Sequence, residues 1–278
     1  MGSLAVDTEV TGGDGRYQHT LSEDWRIWGP AGGYIAAVAL RAAGLECGRP
    51  RPASINAQFC KAGAFAPVEV HAAVLRETRV AALVDVEIRQ DGALLLKAAV
   101  WGVDDLGGLE HHTTERPGPL PDPEPVPSTS ERMAGKGGPT YPFWQNLDNR
   151  QPHWVDDWEN RPAMSAERGE WFRFLPEARF DDPWIDACRS LILIDVGSWP
   201  VAVLPHIGEL DYFAPTTEVT ARFIGDARDH EWLESWAWAP VATNGLIGAR
   251  GEIWSRDGAL VALGGSTLLC RPAVNRPD

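Results

Sequence analysis

Apolar and polar positions divide the chain into two series of elements. In the first, a strand-like stretch at residues 17–21 precedes an Ala-rich run from Gly32 to Ala43. Small apolar residues on all sides of that run predict a helix buried all round, not an amphipathic surface helix. Gly44 and then Pro50 punctuate its end. Runs rich in β-branched residues at 54–60, 68–76, 80–89 and 93–103 predict four strands. Gln90-Asp91-Gly92 joins the last two as a hairpin.

The second series repeats this order. A strand at 170–175 leads to a helix that starts at Asp182-Pro183, with Asp182 as the N-cap and Pro183 in the first turn. The helix continues through Leu191, Ile192, Leu193 and Ile194 towards Pro200. Strands follow at 216–224, 232–239, 246–254 and 259–269. The hairpin around Asp91-Gly92 recurs around Asp257-Gly258 with one residue inserted. The repeat predicts a duplicated α+β unit, each copy an antiparallel sheet wrapped around one long helix. The expected division is a flexible tail at 1–16, a first unit at 17–104, a Pro-rich linker and connecting segment at 105–165, and a second unit at 166–278.

Composition narrows the function classes. The 278 residues are 44% hydrophobic and 23% charged, as in a soluble globular protein. A net charge of −14 excludes a nucleic-acid partner, which needs a basic face, and gives no attraction to an anionic membrane. No stretch has the apolar length of a membrane span and no basic start precedes an apolar run, so a cytoplasmic protein is expected. Cys47, Cys60, Cys188 and Cys270 stand apart in or beside apolar stretches and read as reduced. His111-His112 have no third ligand at metal spacing, so neither metal nor cofactor is expected. No Gly-x-Ser-x-Gly elbow supports a hydrolase triad.

Asp195 is the informative residue. It interrupts the run Leu191-Ile192-Leu193-Ile194-Asp195-Val196, which otherwise reads as buried. A buried carboxylate needs partners. It either caps or pairs structurally, or serves as a base whose pKa burial has raised. Trp232, Trp236 and Trp238 cluster on one strand, the last two on one face. Core packing is the default for them, and lining an acyl pocket is a second role.

The order of elements resembles the double-hotdog acyl-CoA thioesterases of the bacterial thioesterase II type. Trp28-Gly29-Pro30-Ala31-Gly32-Gly33-Tyr34 resembles the Gly-Gly opening of the first hotdog helix. Asp181-Asp182-Pro183-Trp184 resembles the approach to the second, and Ile194-Asp195-Val196-Gly197 the stretch with its aspartate. Thr216-Thr217-Glu218-Val219 resembles the strand that follows. The resemblance implies hydrolysis of an acyl-CoA or acyl-carrier-protein thioester by a water held by an aspartate, a hydroxyl and a glutamine. Asp195 takes the first role and Thr216 the second, with Thr217 beside it. Ser266 stands where the glutamine is expected, next to Thr267, with Asn244 or Gln58 as substitutes. Gly32, Gly33, Tyr34, Thr217 and Trp236 are the expected substrate-binding residues. The glycine amides would stabilise the developing oxyanion, although glycines there also suit close packing. Two other functions remain open: a non-hydrolytic acyl-binding accessory protein, and a hotdog dehydratase or hydratase using His206. A homo-oligomer is expected by resemblance.

Overall fold

The computed structural model describes residues 1–118, 120–136, 141–208 and 210–273. The first half contains α1 (Leu4–Asp7), β1 (Thr11–Gly13), β2 (Arg16–Thr20), α2 (Gly32–Cys47), β3 (Arg51–Phe59), β4 (Pro67–Glu77), β5 (Ala81–Gln90) and β6 (Ala93–Val103). Next come α3 (Thr129–Met133), β7 (Leu147–Arg150), β8 (Glu167–Phe174), α4 (Pro183–Val196) and α5 (Ser198–Ala202). The chain finishes with β9 (Tyr212–Phe213), β10 (Thr216–Phe223), β11 (Trp232–Thr243), β12 (Leu246–Ser255), β13 (Leu260–Leu269) and β14 (Arg271–Pro272).

One 12-stranded sheet runs in the order β1-β2-β4-β5-β6-β3-β10-β13-β12-β11-β8-β7. Read inward from its two ends, β2-β4-β5-β6-β3 and β8-β11-β12-β13-β10 follow the same permutation. The halves are pseudo-symmetric copies joined where β3 pairs antiparallel with β10. This is the tandem hotdog expected from the sequence.

The two long helices, α2 and α4, form where the pattern places them. The Asp182 carboxylate accepts the Trp184 N–H at 2.8 Å and caps α4, with Pro183 in the first turn. α2 runs past Gly44 to Cys47 and stops at Gly48, which takes a left-handed φ of 58°. Asp91 and Gly92 both have positive φ (49° and 78°), as a two-residue type I′ hairpin requires.

α2 and α4 lie side by side and antiparallel. The start of α2 meets the end of α4, where a Cβ on Gly33 would sit 2.9 Å from Ile192 Cα. The end of α2 meets the start of α4, where a Cβ on Gly44 would sit 2.5 Å from the Trp184 ring. Glycine is thus needed at both crossings.

Two segments differ from the sequence reading. Residues 1–16 are tied down rather than loose: Leu4 is buried, Gly2 N–H donates to Asn146 Oδ1 at 2.8 Å, and Trp25 Nε1 donates to Asp7 Oδ2 at 3.0 Å. Polar composition hid these contacts because they are made to distant residues. The Pro-rich segment is also docked. Leu120 packs with Trp171 and Trp232, Trp171 Nε1 donates to Pro121 O at 2.9 Å, and Arg150 donates to the carbonyls of Pro123, Glu124 and Val126 at 2.9–3.0 Å. Proline-rich backbone keeps its carbonyls as acceptors, so an arginine can hold it down.

Candidate active site

Asp195 lies in the last turn of α4 and reaches the first turn of α2. Its Oδ2 accepts the Gly33 N–H at 2.7 Å. Its Oδ1 accepts the Thr216 hydroxyl at 2.9 Å. The residue is 9% exposed. Burial raises its pKa above the ordinary carboxylate value, while the Gly33 amide and the Thr216 hydroxyl pull it back.

The other buried carboxylates show why Asp195 is unusual. Glu170 is paired with Arg168, Asp186 with Arg189, and Glu234 with Arg116. Asp195 has no ion pair among the described residues. A buried carboxylate held by one amide and one hydroxyl, beside two glycines, makes this the candidate site.

A β-bulge selects between the two threonines. Thr216 pairs with Leu268 and Glu218 with Thr267, so Thr217 is the extra residue. Simple alternation back from the buried Val219 would turn Thr217 towards the helix. The bulge turns Thr216 inward instead, and the Thr217 hydroxyl donates to Thr267 O at 3.0 Å within the sheet. Thr217 is therefore part of the strand pairing rather than the Asp195 network.

Ser266 pairs with Val219 on one side and Ala249 on the other, on the helix-facing side of β13. It is buried, and its hydroxyl has no hydrogen-bond partner among the described residues. The flanking positions on β12 are Gly251, over which Ile194 packs, and Ile247, in a cluster with Val201. Ser266 thus lies under the last turn of α4. The two substitutes do not reach this face: Gln58 is exposed and bonded to Glu218 at 2.7 Å, and Asn244 is an exposed turn residue with a φ of 52°.

Other expected residues fall elsewhere. The Gly33 amide is committed to Asp195, which leaves Gly32 as the neighbouring first-turn amide at the site. Tyr34 is fully buried and stacked on Trp25 at 5.3 Å, and its hydroxyl bonds the Ser22 amide at 3.1 Å and His19 Nε2 at 2.9 Å. It packs the first half rather than facing a substrate. Trp236 alternates with the core-facing Ala237 and so lies on the outer face of β11, stacked on Trp238 with its Nε1 on Glu234 Oε1 at 2.5 Å. It is corrected from a pocket residue to part of an outer-face cluster. His206 is exposed and His19 is held by Glu9 O and Tyr34, and the hydrogen bonds of Asp195 go to Gly33 and Thr216 rather than to a histidine.

Sequence reasoning missed the aromatic residues around the site. Trp28 meets Trp199 at 6.5 Å and Phe213 at 5.8 Å, both edge to face. Each is within five residues of a site residue, a signal that was available in the sequence.

Comparison with known proteins gives a consistent picture. Residues 21–103 match the acyl-CoA thioesterase N-terminal domain, and residues 117–268 match the acyl-CoA thioesterase C-terminal domain. No curated protein matches. Among solved structures, a hotdog-fold protein of unknown function from Alicyclobacillus acidocaldarius is 20% identical, with a TM-score of 0.82 and 98% of each chain covered. The acyl-CoA thioesterase II TesB2 from Mycobacterium marinum is 19% identical, with a TM-score of 0.78 over 97% of this chain and 98% of that one. The tesB protein of Mycobacterium avium subs paratuberculosis is 20% identical, with a TM-score of 0.75 over 97% and 98%. At such identity the solved structures establish the fold. The two domain matches in tandem establish that the chain belongs to the acyl-CoA thioesterase family.

Proposed function

We propose that this thioesterase hydrolyses its acyl thioester with Asp195 as general base for a water molecule. The observation that carries the proposal is the buried, cation-free carboxylate held by Gly33 and Thr216. The water donates to Asp195 Oδ1 and accepts from the Ser266 hydroxyl, which has no hydrogen-bond partner among the described residues. Its remaining lone pair attacks the thioester carbonyl carbon.

In that step a C–O bond forms, the carbonyl π pair moves to oxygen, and the water proton passes to Asp195. The positive end of α2, with the Gly32 amide, stabilises the oxyanion. Collapse of the intermediate breaks the C–S bond. The thiolate takes the proton from Asp195, leaving acid and thiol. A raised pKa brings the base closer to neutral pH, where proton transfer is most effective. Acyl-CoA is the proposed carrier, and an acyl-carrier-protein thioester is the alternative donor for the same chemistry.

The test is free-thiol release from acyl-CoA and acyl-carrier-protein thioesters by the wild-type chain and Asp195→Asn. Release that falls by about 10²–10⁴-fold in the variant supports the base. Equal release by both chains contradicts it. No release from any thioester by a folded wild-type chain contradicts the hydrolytic assignment.

A further inference from the structure

We infer that Trp28, Trp199 and Phe213 form an aromatic wall that recognises the acyl group and selects compact, aryl-bearing acyl thioesters over long fatty ones. This inference rests on the proposed thioesterase site.

Three separate segments supply the wall, and each also supplies the site. Trp28 precedes the Gly32-Gly33 helix start, Trp199 follows Asp195 by one helical turn in α5, and Phe213 precedes Thr216. Their rings meet edge to face, Trp28 with Trp199 at 72° and with Phe213 at 85°. A fourth ring, Phe59, lies 3.1 Å from where a Gly32 Cβ would be. Edge-to-face packing is how aromatic rings receive another ring. Trp28 and Trp199 are only half-buried, so both keep solvent-accessible surface on segments adjacent in sequence to the site residues.

Among the described residues, α2 and α4 are closely packed against each other. Gly33 lies against the Ile192 backbone, and Ala36, Ala37 and Ala39 are fully buried along α2. Trp184 closes the far end of the helix pair against Gly44. Among the described residues the two helices pack directly on each other, so the proposal places the acyl group at the mouth, where a ring fits the rings already there. No cation bonds Asp195 among the described residues, so a carboxylated acyl group would meet a like charge unrelieved.

The experiment measures kcat and KM for phenylacetyl-CoA, hexanoyl-CoA and palmitoyl-CoA with the wild-type chain, Trp28→Leu, Trp199→Leu and Phe213→Leu. Thermal melts confirm that each variant is folded. The expected wild-type kcat/KM for phenylacetyl-CoA exceeds that for palmitoyl-CoA by about tenfold or more, from two ring contacts. Trp199→Leu removes about tenfold from phenylacetyl-CoA, mainly through KM, and under about threefold from hexanoyl-CoA. Preference for palmitoyl-CoA, or an equal loss for every substrate, overturns the wall.

Direct binding keeps the two readings apart. The non-hydrolysable dethia ketone analogues of phenylacetyl-CoA and palmitoyl-CoA are titrated by tryptophan fluorescence. If no thioester is turned over, hydrolysis fails as a reading. The wall still stands if the phenylacetyl analogue binds more tightly and Trp199→Leu abolishes the difference. Equal binding of both analogues overturns it.

Discussion

The two helix crossings occupy equivalent places in the duplicated fold and carry opposite side chains. Gly33 is the second residue of α2 and Trp184 the second of α4; Asp195 is the thirteenth of α4 and Gly44 the thirteenth of α2. The first crossing joins Gly33 to Asp195. The second joins Trp184 to Gly44. Matching bulges extend the equivalence into the sheet: Pro52 pairs with Gly102 as Thr216 pairs with Leu268, and Ile55 with Val100 as Val219 with Ser266. The junction proposed as the site therefore has Asp195, Thr216 and Ser266, where the other has Gly44, Pro52 and Val100. The indole of Trp184 fills the second junction, 3.2 Å from a Cβ position on Gly102, with its Nε1 on Arg49 O at 2.9 Å. Both glycines come from α2 and both facing side chains, Asp195 and Trp184, from α4, so the pseudo-symmetric backbone carries two chemically different junctions, and the proposed site lies at only one of them.

Asp195→Asn should break the comparison most completely. Turnover falls by about 10²–10⁴-fold, read by thiol release. Stability moves the other way. Burial raises the folded pKa, so the folded chain takes up a proton more readily than the unfolded chain. Asp195 thus costs stability at neutral pH, and that cost lessens as pH falls through the raised value. A thermal melt at neutral pH should place Asp195→Asn at or above wild type. The wild-type rate should have an acidic limb above the ordinary carboxylate range, because falling pH protonates the base. The variant should lose that limb.

Gly33→Ala comes next. A Cβ there meets backbone rather than a mobile side chain, so α2 must move off Asp195. The expected cost is about 1–3 kcal/mol in a denaturant melt, with a loss of about tenfold or more in kcat. Thr216→Val should lower kcat by about tenfold and move the acidic limb to higher pH, since a hydrogen bond to the ionised form is lost. Thr217→Val should leave the rate within about twofold, because its hydroxyl serves the strand pairing. At the other junction, Trp184→Ala should cost about 3–5 kcal/mol in stability while leaving the acidic limb in place, as measured by melting and a pH profile.

These contrasts also show what the sequence reveals. The element order, both hairpins and the Asp182 cap are legible because each is local. Asp195 is legible because a carboxylate interrupts an apolar run. The choice of Thr216 over Thr217 is not, since it depends on a bulge against β13. Tyr34 and Trp236 were drawn into the site by sequence position, but the fold turns one into the first core and the other to the outer face. Trp184 as a plug is invisible until the two helices are seen crossing, and the docking of residues 1–16 and of the Pro-rich segment depends on partners far away in the chain.

The most direct test of the one-sided account is the number of substrate analogues each chain binds. Calorimetric titration of the wild-type chain with a non-hydrolysable dethia acyl-CoA should give one site per chain, and that site should be lost or weakened in Gly33→Ala. Two equivalent sites per chain, or one site unaffected by Gly33→Ala but lost in Trp184→Ala, would contradict it.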